Sequence, residues 1–254
     1  MKKIYLWLIF LFLYAPILVL IVFSFNANRS RGSWGGFSVK WYIELFSDKA
    51  IMSALGNTVL IAVVSALVAV VLGTIAAIGI YNLKGWKKNM VINVTYLPIL
   101  NPDIVTGISM MLLFIAVSLP RGLMSMIIAH ITFGMPYVVI SVLPKLAQLD
   151  PQIYDAALDL GATPREAYTK VILPQVLPGI FTGFLLAFTM SVDDFVVSFF
   201  VTGNGVSNLA ISIYSMARRG INPKINAVLT LLFAAVVGLM YIIQKRLKKS
   251  TLDI

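Results

Sequence analysis

Residues 4–25 carry no charged side chain. An α-helix needs about 20 apolar residues to cross a bilayer, and this run meets that length. Five more apolar runs follow, at 55–81, 90–119, 123–143, 176–201 and 224–244. The expected fold class is therefore all-α, a polytopic membrane protein whose single domain, 1–254, is a bundle of six transmembrane helices. Composition agrees, since 59% of the 254 residues are hydrophobic and 12% are charged, against about 25% charged in soluble domains. Cysteine is absent, which removes disulfides and thiolate metal sites from consideration.

The net charge of +10 does not point to nucleic acid, because the cations cluster at the ends of the apolar runs: Lys2 and Lys3, then Lys84, Lys87 and Lys88, then Lys245, Arg246, Lys248 and Lys249. That placement is the positive-inside pattern of a chain in a lipid bilayer. An even number of spans puts both termini on one side. Lysine and arginine are in excess there, so both termini are expected in the cytoplasm, although Arg218, Arg219 and Lys224 on the opposite side weaken the bias. The start of the chain has the charge and apolar run of a signal peptide. Its run is too long, however, and "NAN" at 26–28 lacks a cleavage pattern, so the first span is expected to be retained.

Small residues recur every four positions at Gly179, Gly183, Ala187 and Ser191 and at Ala69, Gly73 and Ala77. Such faces let helices approach closely in lipid and predict a packed bundle. Pro16, Pro98, Pro102 and Pro136 fall inside apolar runs, where the freed backbone groups need partners or a wet cavity. In the outer loop, 26–54, "FSVKWYIELF" predicts a short helix capped by Ser38. Phe37, Trp41 and Leu45 then form an apolar stripe lying on the membrane surface.

The segment "SVDDFVVSFF", 191–200, sets Asp193 and Asp194 inside the fifth run. About fifteen Leu, Ile, Phe and Val residues there supply about −7 kcal/mol of insertion energy. Two central aspartates would cost about 5 to 7 kcal/mol, nearly cancelling it. The pair is therefore expected to avoid lipid. On a continuous helix of about 100° per residue, Asp194 falls in the small-residue stripe and Asp193 at its edge. Asp194 would then face a pathway and Asp193 a neighbouring helix. The third run is interrupted by "NPD", with Asn101 as a helix cap, Pro102 at the first helical position and Asp103 in the first turn. A broken helix near the midplane marks substrate sites in transporters. The structural alternatives are that Asp103 only satisfies a helix N-terminus, and that Asp193 and Asp194 pair with Arg218, Arg219 or a partner subunit. Phe188, Phe195, Phe199 and Tyr214 are candidates for cation–π contact with a cationic solute. Asn101, Asp103, Asp193, Asp194, Phe195 and Tyr214 form the expected pathway set, which would equally suit a metal ion, a proton or a basic amino acid.

The loop 144–175 is expected in the cytoplasm. Asp150-Pro151 opens a helix of about ten residues ending at Gly161. The spacing of "TPRE" from Thr163 to Glu166 is a capping box that starts a second short helix, expected to stop before Pro174. Ile153, Ala156, Ala157 and Leu160 share one face of the first helix. A small apolar face outside the bilayer suits a groove on a partner, or else folds back onto its own bundle.

The stretch "DAALDLGATPREAYTKVILP", 155–174, resembles the EAA loop of permease subunits of bacterial ABC importers. Ala156, Ala157, Gly161, Leu173 and Pro174 stand at the family's spacing, with Asp155 in place of the usual glutamate and Val171 in place of isoleucine. Together with the six-run layout the resemblance covers nearly the whole chain and points to the polyamine permeases. It implies that the loop is a coupling helix, with Asp155, Ala156, Ala157, Leu160, Gly161, Thr163, Glu166, Leu173 and Pro174 engaging a cytoplasmic ABC ATPase present in two copies. It also implies a second homologous permease, a periplasmic polyamine-binding protein, spermidine or putrescine as cargo, and the bacterial inner membrane as location. The sequence has no Gly-Lys dipeptide and hence no P-loop. ATP would be used by the partner, and no cofactor is expected on this chain. A proton-coupled secondary transporter for a cationic solute is the alternative, but it leaves the loop without a purpose. A membrane-embedded enzyme finds no supporting motif; the one histidine, His130, is expected to be a packed bundle residue.

Overall fold

The computed structural model describes residues 2–29, 33–218 and 223–252, so Arg219 lies outside the described residues. In chain order the helices are α1 (Lys2–Ser24), α2 (Lys40–Ser47), α3 (Lys49–Asn82), α4 (Gly85–Leu100), α5 (Asp103–Ala116), α6 (Leu123–Ala147), α7 (Gln152–Asp159), α8 (Pro164–Glu166), a π-helical turn (Ala167–Ile172), α9 (Leu173–Asp193), α10 (Val196–Val201), α11 (Leu209–Arg218) and α12 (Pro223–Leu252). The all-α expectation holds. The β pairing among the described residues is one isolated bridge, Asn26 with Phe37.

Among the described residues, four helical stretches are long and apolar enough to cross a membrane: Tyr5–Ser24, Lys49–Asn82, Leu123–Ala147 and Pro164–Asp193. The α4–α5 pair is a fifth if its two arms, bent by 103° to one another, form one span. The sixth run corresponds to α12, whose described apolar portion is Pro223–Ala235.

The chain forms two compact units. In the first, residues 1–53 and 212–254, α12 packs on α1 and α2. Asn26 organises the turn after α1. Its Oδ1 accepts from the Asn28 and Gly35 amides at 3.1 and 2.7 Å, and its carbonyl accepts from Trp41 Nε1 at 2.7 Å. Lys224 reaches Glu44 and Asp48 of the α2 region at 3.6 and 3.4 Å. The surface helix differs in detail from expectation. Trp41 and Leu45 are buried within this unit, whereas Phe37 is exposed and stacks on Phe25. The apolar stripe therefore packs on the protein, because the Trp41 indole finds a carbonyl partner there. Val39 holds the cap position, and Ser38 Oγ accepts only from the Lys40 amide, at 3.2 Å.

In the second unit, 54–211, α6 and α9 are the most extensively packed pair. Val138, Val142 and Leu146 of α6, Ala69 and Ala77 of α3, and Val176 and Ala187 of α9 form its core. The predicted small-residue stripes make these approaches possible. Cβ atoms added at Gly73 and Gly183 would lie 2.7 Å from Val138 Cβ and 3.0 Å from Val138 Cα. One added at Gly179 would lie 2.9 Å from the Ser141 carbonyl oxygen.

Two helix breaks depart from the expected geometry. Asn101 ends α4 in an extended conformation and Pro102 is the N-cap of α5, with no side-chain cap bond. The residue before proline is driven out of the α region, so the helix restarts one residue later than expected. The Pro102 carbonyl accepts from the Val105 amide at 2.9 Å. The fifth run is not continuous either: α9 ends at Asp193, Asp194 is extended (φ −68°, ψ 118°), and α10 begins at Val196. The helical-wheel placement of Asp194 fails for that reason.

Overpacking a close helix contact costs about 1–3 kcal/mol. Gly179→Val is therefore expected to lower the thermal midpoint of the detergent-solubilised chain. Gly79→Ala, with nothing within 4 Å of its added Cβ, should leave that midpoint unchanged or raise it.

Candidate functional site

Both breaks open onto one cavity of about 180 Å³, lined by Asp103, Asp193 and Asp194 together with Phe133, Tyr137 and Phe195. The elements that carry them explain the convergence. Helices α5 and α10 pack closely, because Gly107 lets α10 approach: a Cβ there would lie 2.9 Å from Phe200 and 3.3 Å from Val197 Cα. Each of these short helices starts beside an acid, so packing them together gathers the acids at one place.

The three carboxylates differ in their surroundings. Asp103 and Asp193 are exposed, with no hydrogen bond or ion pair among the described residues. Asp194 is half-buried and held. Its Oδ1 accepts from the Val197 amide at 3.0 Å and its Oδ2 from the Ser198 amide at 2.7 Å, so it caps α10. His130 Nε2 lies 3.4 Å from Asp194 Oδ2. Both Asp193 and Asp194 line the cavity, but Asp193 is the freely presented acid and Asp194 is held by its own fold. Helix N-termini carry partial positive charge, which accounts for a carboxylate at the start of each helix in an apolar setting.

Other expected residues fall elsewhere. Asn101 does not line the cavity. Phe188 stacks on Phe184 at 6.0 Å and packs against the α3–α6–α9 core. Phe199 is a neighbour of Phe195 at 5.5 Å. Tyr214 and Arg218 belong to the first unit. Phe133 and Tyr137 line the cavity without being among the expected residues, and His130, expected to be a packed residue, is buried and also contacts Asp194. The available signal was spacing: His130, Phe133 and Tyr137 recur at i, i+3, i+7, one face of α6.

The loop 144–175 forms a second candidate surface. α7 is eight residues long with Pro151 as N-cap, and Asp150 Oδ1 accepts from the Gln152 amide at 2.9 Å. Gly161, at φ +87°, ends it as expected. The Gly161 amide donates to Leu158 O and the Ala162 amide to Ala157 O, a Schellman closure that requires the left-handed residue. The predicted apolar face is divided. Ala157 is buried and Ile153 half-buried, whereas Ala156 is exposed and Leu160 is 89% exposed. The capping box is present, with the Thr163 amide donating to Glu166 Oε2 at 3.0 Å and the Glu166 amide to Thr163 Oγ1 at 3.4 Å. The second loop helix does not stop before Pro174. It runs through the π-helical turn into α9, and the Leu173 amide reaches the Tyr168 carbonyl. The wider turn accommodates the proline ring that an α-helix interior rejects.

Glu166 lies at the surface, and the Lys170 ammonium hydrogen-bonded to it at 2.7 Å, with Thr163 adding to it, lowers its carboxyl from the ordinary 4.5 to about 2. A carboxyl depressed on folding contributes stability above its unfolded value, so this cap is complete above about pH 4.5 and is lost as pH falls through about 2. A carbon-detected NMR titration should give Glu166 a midpoint near 2, and Lys170→Met should raise it.

Residues 69–252 match the family model described as "Binding-protein-dependent transport system inner membrane component". The putrescine transport system permease protein PotI of Escherichia coli (strain K12) is 40% identical over 80% of this chain and 75% of its own length. The spermidine/putrescine transport system permease protein PotC of the same strain is 37% identical over 85% of this chain and 81% of its own. PotC of Haemophilus influenzae (strain ATCC 51907 / DSM 11121 / KW20 / Rd) is 35% identical over 86% and 85%. Among solved structures, a chain of the bacterial alginate ABC transporter in complex with alginate pentasaccharide-bound periplasmic protein superposes with a TM-score of 0.71 at 18% identity, covering 94% of this chain and 89% of that one. A chain of the inward-facing MetNI methionine ABC transporter superposes at 0.63 and 19% identity, covering 79% and 97%. These structures share the fold. The chain belongs to the family of binding-protein-dependent transport system inner membrane components, and is the non-enzymatic permease subunit of an ABC transporter whose ATPase is a separate subunit.

Proposed function

We propose that this chain is the permease of an ATP-driven importer that moves polyamines, spermidine or putrescine, across the bacterial inner membrane. The observation that carries the reading is the identity of 35–40% to permeases named for those two cargoes. The acid-lined cavity supports it. A flexible organic cation must exchange its hydration for carboxylates and aromatic faces, and Asp103, Asp193, Asp194, Phe195 and Tyr137 line the same space. A unit charge about 5 Å from one carboxylate gains about 3 kcal/mol at an effective dielectric of about 20, so two or three acids suffice to hold such a cargo briefly. Asn101 and Tyr214 have no comparable support as pathway residues. Membership of the ABC permeases removes the reading as a proton-coupled secondary transporter.

In this proposal both termini and the loop 144–175 are cytoplasmic, and the loop 26–54 is periplasmic. Ala156 and Leu160, exposed on α7, would enter a cleft of the ATPase, with Asp155 beside them. Gly161, Thr163 and Glu166 would hold the turn between the loop helices, and Leu173 and Pro174 its junction with α9. The complete importer would contain two ATPase copies, a second homologous permease and a periplasmic polyamine-binding protein.

Two measurements test this reading. Affinity purification in mild detergent should bring a P-loop ATPase with the chain. Gly161→Trp should abolish its recovery, since a side chain at φ +87° disfavours the left-handed turn by about 1–2 kcal/mol. In cells deprived of other polyamine uptake, the intact importer should accumulate radiolabelled putrescine or spermidine. An ATPase that co-purifies while neither amine is taken up would leave the family standing and remove the cargo.

A further inference from the structure

His130 is 1% exposed, and both of its ring nitrogens are engaged. Nδ1 lies 2.5 Å from Ser191 Oγ, and Nε2 lies 2.9 Å from Ser198 Oγ and 3.4 Å from Asp194 Oδ2. Ser191 is the last buried residue of α9, and Ser198 sits in the first turn of α10. The imidazole therefore spans the break from one side to the other. The network continues on both flanks. Ser65 Oγ of α3 lies 3.4 Å from Ser191 Oγ. Asn208 Nδ2 donates to Ser198 Oγ at 2.9 Å and to the Asp194 carbonyl at 3.3 Å, while its Oδ1 accepts from the Ile211 amide at 2.9 Å. Ser65, Ser191, Ser198 and Asn208 are each at most 2% exposed.

Buried polar groups are expensive unless they are satisfied, and satisfied networks fix a unique geometry. This one is closed around a single carboxylate that also lines the cavity. Apolar contacts already hold α6 against α9, so the polar cluster is not needed to join those helices. Its evident consequence is local: it fixes where the Asp194 carboxylate points.

We infer that His130 is a positioning residue for cation import, holding the Asp194 carboxylate on the start of α10 so that Asp103 and Asp193 present the free charges to the cargo. Removing His130 leaves Asp194 with backbone donors alone and lets its carboxylate turn into the cavity. A third free charge there holds the cation longer and slows its release. Capture of cargo from solution belongs to the binding protein, so the turnover changes and the apparent KM does not. This inference rests on the polyamine reading above.

The test uses the whole importer, with ATPase, both permeases and binding protein, reconstituted in proteoliposomes and assayed for ATP-driven putrescine import. Loss of the hydrogen bond to Ser198 and of the charge contact at 3.4 Å to Asp194 predicts about a tenfold fall in Vmax for His130→Leu with the apparent KM unchanged. His130→Gln, whose amide can donate from near the Nε2 position, should recover much of the rate. It also carries the test should His130→Leu fail to assemble. Asp194→Asn keeps a side chain able to cap α10, and the double variant with His130→Leu should be no slower than the slower single variant. A His130→Leu importer with normal Vmax would overturn the inference. So would losses that multiply in the double variant, or a His130→Gln importer as slow as His130→Leu. Wild-type vesicles that import neither amine would instead overturn the cargo assignment.

Discussion

The Asp194 carboxylate on the first turn of α10 is the contact on which this bundle turns. A helix that breaks in an apolar environment exposes amide groups with no water to receive them. Asp194 accepts two of those amides, and the chain can then end α9 at Asp193 and restart as α10 at Val196. At the other break the Pro102 carbonyl accepts from the Val105 and Thr106 amides, which closes the first turn of α5. Because α5 and α10 pack on each other at Gly107, both restarts face the same cavity. Asp194 thus lets one helix break, and the break sets Asp193 beside Asp103 on the same cavity, where both carboxylates are exposed.

A second consequence follows from the junction at Pro174. The loop helix, the π-helical turn and α9 form one uninterrupted stretch, Pro164–Asp193, of 30 residues. At about 1.5 Å per residue it extends about 45 Å, from the Thr163 capping box to the acid-lined break. A displacement of the coupling loop by an ATPase would be carried along that rod to Asp193 and Asp194. Had the second loop helix stopped before Pro174, a flexible joint would have separated the two ends.

Much of this was legible in the residues. Apolar run length found the four stretches long enough to cross a membrane and the bent α4–α5 pair, and the small-residue stripe at Gly179, Gly183 and Ala187 found the packed face of α9. Turn chemistry found Gly161 and the Thr163–Glu166 box, because both depend on interactions within a few residues. What escaped was set by contacts distant in sequence. The break at Asp194 brings in contacts from His130, distant in sequence, and amides that a helical wheel treats as already paired. The inward packing of Trp41 depends on the Asn26 carbonyl. The continuous junction at Pro174 depends on a π-helical turn that no local propensity announces. The cargo and the partners come from similarity to named relatives.

In the proposed importer, free carboxylates at two helix breaks make an apolar bundle passable to an organic cation. The most direct measurement is ATP-driven polyamine import by the reconstituted importer carrying Asp103→Asn and Asp193→Asn together, with binding-protein-stimulated ATP hydrolysis followed in the same vesicles. Loss of about 3 kcal/mol of attraction per charge predicts import slowed by at least about tenfold while the ATPase remains assembled and stimulated. Import at the wild-type rate by that variant would show that these two carboxylates do not carry the cation.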